Sequence, residues 1–96
     1  MKLIIKTAET PLNFLRKAGY GFIGQDEKTG ELSFSRRLGG DNYPRFHAYS
    51  KSEKENLIIN LHLDQKRTSY KGFTAHSGEY DGKLIEEESQ RLKNIK

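Results

Sequence analysis

The chain has 96 residues, of which 33% are hydrophobic and 31% charged, with a net charge of +4 at pH 7. That length holds one core and no second domain, and the mildly basic balance permits a polyanionic partner without requiring one. There is no cysteine, which excludes disulfides, thiolate metal sites and cysteine nucleophiles together, and the opening MKLIIKTAET is too short in apolar residues for a signal peptide or membrane span, so a soluble cytoplasmic protein is expected.

Residues 3–5 read as a short strand. Thr10 and Pro11 then mark a helix start: the hydroxyl caps a free N–H, and proline suits the first helical position, where its missing N–H costs nothing. Leu12, Leu15 and Ala18 fall on one stripe, and Gly19 stands where a left-handed cap is wanted. Residues 20–25 follow as a strand with Tyr20 and Phe22 on one face, and 26–30 as a polar turn ending in glycine. Leu32 and Phe34 resume the alternation. The loop length sets Phe22 opposite Phe34, which predicts that both enter the core. Arg36 interrupts that face and predicts the strand's end or a sheet edge.

Residues 38–44 form a loop, after which 45–49 alternate again with Phe46 and Ala48 on one side. The charged run 51–55 reads as a hairpin turn. The strongest strand signal is Asn56–Asp64, where Leu57, Ile59, Leu61 and Leu63 share one face and Ile58, Asn60, His62 and Asp64 the other. Pairing across the turn is expected to set Phe46 opposite Leu61, Ala48 opposite Ile59, His47 opposite Asn60 and Arg45 opposite His62. Residues 65–81 lack periodicity and read as a loop.

Asp81 is expected to cap a last helix from about Gly82, with Leu84, Ile85, Leu92 and Ile95 as its apolar stripe. Glu86, Glu87 and Glu88 near its start and Arg91, Lys93 and Lys96 near its end suit the helix dipole, and Glu87 to Arg91 is a favourable spacing. The fold class is therefore α+β, an α-β-β-β-β-α order with an antiparallel meander sheet and both helices packed on its one apolar face.

The opposite face gathers Arg45, His47, Tyr49, Asn60 and His62, with Ser33, Ser35 and Arg37 on a neighbouring strand. A basic, hydrogen-bonding surface with a stackable ring is what single-stranded nucleic acid asks for. The loop after Asp64 adds Lys66, Arg67 and Lys71 interleaved with Tyr70 and Phe73. His62, Asp64, His76, Glu79 and Asp81 are of metal-ligating type, but match no established ligand spacing. His47 and His62, with Arg45 to hold an anionic transition state, would suit general acid–base cleavage of a phosphodiester. No Ser-His-Asp order, phosphate-binding glycine loop or paired-carboxylate spacing is apparent.

The run Leu15-Arg16-Lys17-Ala18-Gly19-Tyr20, a helix ending in Ala-Gly-aromatic that feeds a hairpin and a last helix, resembles HicA-type mRNA-interferase toxins. The fold of that family is similar to double-stranded-RNA-binding domains, and the resemblance implies an α-β-β-β-α order. This chain adds a strand and lacks the family's Gly-Ser-His-His-type catalytic strand, so no catalytic role passes to any residue. The segments His62-Leu63-Asp64-Gln65-Lys66 and Ala75-His76-Ser77-Gly78-Glu79-Tyr80-Asp81-Gly82 are similar to stretches of small bacterial proteins and imply no function.

The function expected is binding of RNA or another nucleic acid through the open sheet face and the loop after Asp64, with no cofactor and no membrane. The alternatives are a histidine-dependent ribonuclease of the HicA-like kind, using His47 and His62, and a protein-interaction module using a sheet edge or the aromatic loop.

Overall fold

The computed structural model describes residues 1–65 and 77–95, with the backbone alone for 77–81. The elements in chain order are β1 (Lys2–Lys6), α1 (Pro11–Lys17), β2 (Gly21–Gln25), β3 (Leu32–Arg37), β4 (Arg45–Glu53), β5 (Asn56–Asp64) and α2 (Ser77–Lys93). They form one antiparallel sheet in the order β1-β5-β4-β3-β2. The chain starts at one edge, crosses over through α1 to the other, and meanders back until β5 lies against β1. The brief run at residues 3–5 is thus a full edge strand.

Helix α1 is only seven residues long, so its ends and its buried face must hold it. Thr10 Oγ1 accepts from the Asn13 N–H at 3.1 Å, as expected of the cap. At the other end Gly19 takes a φ of +97°, the Gly19 N–H donates to Arg16 O, and the Tyr20 N–H donates to Leu15 O. This is a Schellman closure, with Gly19 at the left-handed position. Phe14, Leu15 and Ala18 enter the core with Leu3, Phe34, Phe46, Ala48, Leu57, Ile59 and Leu61 from the sheet and Leu92 from α2. Both helices therefore cover the same face. Ile5, Leu63, Leu84, Ile85 and Ile95 pack around that core, partly buried.

One buried carboxylate ties these layers together. Glu88 is 3% exposed. It accepts from the Tyr20 hydroxyl at 2.6 Å, from Arg36 Nη2 at 3.1 Å and from Arg91 Nε at 2.8 Å. Arg91 Nη2 also donates to Ala18 O, at the C-terminus of α1, at 2.8 Å. Strand β3 does end just past Arg36, at Arg37, and the Arg36 side chain lies on the helix-facing side and reaches Glu88. Helix α2 begins at Ser77, ahead of the expected start near Gly82, so Asp81 lies within it and the three glutamates are mid-helix. Arg91 pairs with Glu88 at i,i+3 rather than with Glu87.

Two further expectations fail for local reasons. Phe22 does sit opposite Phe34, and their rings meet edge-on at 5.6 Å, but β2 is the outermost strand and Phe22 stays 52% exposed. The β4–β5 turn is Lys54-Glu55 alone, both with positive φ (51° and 65°), as a two-residue hairpin of the primed kind requires. The strands consequently run on to Glu53 and Asn56, and the register moves by two. Phe46 faces Leu63, Ala48 faces Leu61, His47 faces His62 and Arg45 faces Asp64. An even shift keeps each side chain on its expected face while changing every neighbour.

Burial alone would push the Glu88 carboxyl up. The hydrogen bonds from Arg91, Arg36 and Tyr20 outweigh it and lower its pKa from 4.5 to about 2. Burial, then the bond to Glu88, pushes the Tyr20 hydroxyl well above the ordinary phenol range. A carboxylate with a depressed folded pKa stabilises the fold above its unfolded pKa and loses that contribution as pH falls from about 4.5 toward 2, here about 3 kcal/mol. Thermal melts across that window should fall steeply for the wild type and distinctly less for Glu88→Gln, which starts lower at neutral pH. In the hairpin, Lys54→Asn combined with Glu55→Gly should raise stability by about 1 kcal/mol, read from the urea midpoint at unchanged slope.

Candidate nucleic-acid interface

Both described helices pack on the first face of the sheet, and neither covers the second. Strand alternation places on it Lys2, Ile4 and Lys6 from β1, Ile58, Asn60, His62 and Asp64 from β5, Arg45, His47, Tyr49 and Lys51 from β4, and Ser33, Ser35 and Arg37 from β3. Three cross-strand rows make its centre. Asn60, Tyr49 and Ser33 form one, His62, His47 and Ser35 the next, and Asp64, Arg45 and Arg37 the last.

The rings form a continuous surface. Tyr49 stacks on His47 with centroids 4.6 Å apart and planes 22° from parallel, and His62 meets Tyr49 edge-on at 5.9 Å. His62 is exposed, whereas the His47 side chain is 16% exposed. Neighbours fix the His47 ring on both nitrogens: Nε2 lies 2.7 Å from Ser33 Oγ and Nδ1 lies 3.0 Å from Asp64 Oδ2. Ser33 pairs with Tyr49 and Asp64 with Arg45, so this line runs diagonally across three strands, at the reach of longer side chains on a twisted sheet. An ionised carboxylate only accepts, so Nδ1 carries a proton, and in the neutral imidazole Nε2 accepts from the serine hydroxyl.

At the last row Arg37 and Arg45 stand directly opposite one another, an arrangement that repels. Arg45 is offset by Asp64, 3.5 Å from Nε, and by the Tyr43 ring, 4.9 Å below its guanidinium. Arg37 donates to Asn42 Oδ1 at 3.4 Å and has no carboxylate partner among the described residues. Asn60 donates to Glu31 Oε2 at 3.3 Å. Lys51 lies 3.8 Å from Glu53, both well exposed.

The structure thus brings Arg37, Arg45, His47, Tyr49, Asn60 and His62 onto one surface, as the alternation predicts. Arg45 faces Asp64 and not His62, so it stands one row away from the His47–His62 pair and not directly across from His62. The Ser33–His47–Asp64 line went unread, because it depends on the hairpin register and not on spacing along the chain. Lys66, Arg67, Tyr70, Lys71, Phe73 and His76 lie outside the described residues, as do the side chains of Glu79 and Asp81. Among the described residues no three histidine, aspartate or glutamate side chains are grouped to hold a metal ion, and no helix is long and apolar enough to cross a membrane.

Because Asp64 sets the proton position, neutral His47 should be the Nδ1–H tautomer by long-range proton–nitrogen correlation. In Asp64→Ala that preference should vanish, since no other acceptor is placed at Nδ1 among the described residues. No protein-family model, curated protein or solved structure matches the chain.

Proposed function

We propose that the uncovered sheet face binds single-stranded nucleic acid, RNA in the first instance. The observation that carries this reading is the His47–Tyr49–His62 ring surface, set centrally on an open antiparallel sheet and bordered by cations. Bases stack on exposed rings whatever their sequence, each such contact contributing about 1–3 kcal/mol. The backbone of the same strand needs cations at the margins: Lys6 and Lys51 lie toward one end of the face, Arg37 and Arg45 at the other, and Lys2 stands on the edge strand in the Asn60–Tyr49 row. The opposed arginines are a natural phosphate seat, because an anion between them removes the repulsion they otherwise suffer. Asn60, Ser35 and the outer edge of His62 supply hydrogen-bonding groups of the kind that read unstacked bases.

Fluorescence anisotropy with a labelled oligouridylate tests the reading. Affinity should fall linearly on a log–log plot against salt, as counterion release demands, and Arg37→Ala should lower the slope by about 0.7. Tyr49→Ala should weaken binding about tenfold at every salt concentration, because it removes stacking and not charge. No binding at low salt, or binding indifferent to both salt and Tyr49, would overturn it.

A further inference from the structure

The diagonal Ser33–His47–Asp64 line is not explained by nucleic-acid binding, which asks only for rings and cations. We infer that it is an activating relay: Ser33 is a nucleophile, His47 its general base, and Asp64 the residue that positions His47, on a site that accepts activated carboxylic esters. The arrangement goes beyond the binding reading and does not rest on it.

Three observations carry the inference. The first is order and distance. A hydroxyl 2.7 Å from Nε2 and a carboxylate 3.0 Å from Nδ1 of the same ring are the roles a serine nucleophile needs, and such a constellation is recognised by geometry and not by position in the chain. The second is rigidity. The His47 ring is mostly buried, stacked on one face against Tyr49, and hydrogen-bonded at both nitrogens, which holds it toward Ser33. All three side chains stand on paired strands and not on loops, which holds the geometry in place before any substrate arrives.

The third is access. Gly24 is the cross-strand partner of Ser33, and Gly21 that of Ser35. A Cβ at either glycine would meet nothing within 4 Å. Strand β2 therefore leaves bare ground beside the hydroxyl, on the side away from His47, where an acyl group can lie. The β-bulge between Phe22 and Gly24 falls at this place, and bulges often re-aim side chains beside reactive groups.

The chemistry closes without a co-reactant other than water. Ser33 Oγ bonds to the ester carbonyl carbon as its proton passes to His47 Nε2. The carbon–oxygen bond to the leaving group then breaks, and that oxygen leaves as the alcohol with the proton from His47. Water next gives a proton to the same nitrogen as its oxygen bonds to the acyl carbon; the bond from that carbon to Ser33 Oγ then breaks, Oγ takes the proton back from Nε2, and the acid leaves with Ser33 restored. The substrate class follows from the donors on this face. Among the described residues both helices lie on the other face, so neither helix N-terminus holds a developing oxyanion at Ser33, and each such donor is worth about 10²–10³ in rate. Esters with a good leaving group are within reach of this relay, and amides are not.

Two probes on the full-length protein decide the matter. Diisopropyl fluorophosphate should leave one adduct, mapped by peptide mass spectrometry to Ser33, while the exposed Ser52 stays unmodified. With p-nitrophenyl acetate the wild type should release a burst of about one p-nitrophenol per chain before a slower steady rate. Ser33→Ala should abolish both signals. His47→Gln should slow labelling of Ser33 about a hundredfold or more while the slow background reaction of Ser52 is unchanged, a pattern that misfolding would not mimic if circular dichroism is unaltered. Asp64→Asn should slow labelling and remove the Nδ1–H tautomer signal of His47 while the adduct stays on Ser33. Labelling of Ser33 no faster than Ser52, or equal rates in wild type and His47→Gln, would overturn the inference.

Discussion

The fold turns on a carboxylate that water does not reach. Glu88 on α2 is held by a phenol that follows α1, by an arginine from β3 and by an arginine one turn further along its own helix. Removing one partner from such a buried group leaves charge without compensation, which costs far more than the group contributes in place. The cluster is directional where the apolar core is not. Leucines and phenylalanines decide that the helices cover a face, but the hydrogen bonds of Glu88 and the Arg91–Ala18 bond decide how α2 lies against the end of α1. With both helices fixed on one side, the other is left to its own side chains. Everything of chemical interest follows from that division.

The second determinant is the tight hairpin between β4 and β5. A two-residue connection allows no slack, so it dictates which side chain of β5 stands beside which of β4. Moving the register by two would keep every leucine on the core face and His47, Asn60 and His62 on the other, yet Asp64 would no longer lie diagonal to His47. The hydrophobic pattern selects a parity, and the turn selects one register among those of that parity. The turn achieves this with lysine and glutamate in a left-handed backbone, residues that suit it poorly.

That distinction explains what could be read from the chain. The division of His47, Tyr49, Asn60 and His62 from Phe46, Ala48, Ile59 and Leu61 is a period-two signal, and it is legible because it survives any even error in pairing. The α1 caps were legible too, since Thr10, Pro11 and Gly19 each have a specific backbone reason to be where they are. The register was not, because Lys54-Glu55 carries none of the glycine or asparagine that announces such a turn. Arg36 and Glu88 each look misplaced alone, one on an apolar strand face and one on a helix otherwise rich in acids, and only their meeting across 52 residues makes sense of both. Phe22 has the right parity and the right partner, but sequence does not say which strand will be outermost.

Strand β2 shows how the open edge of such a sheet is kept to itself. Its outward backbone groups have no strand beyond them among the described residues, and Phe22 and Ile23, about half exposed, offer grease rather than charge to any passing chain. An edge of that kind invites a neighbour to add itself as another strand. The inserted residue at Ile23 breaks the regular spacing of those groups within a run of only five, so an approaching straight strand finds no continuous ladder to zip along. The irregularity that lies beside Ser33 thus serves as a guard against polymerisation.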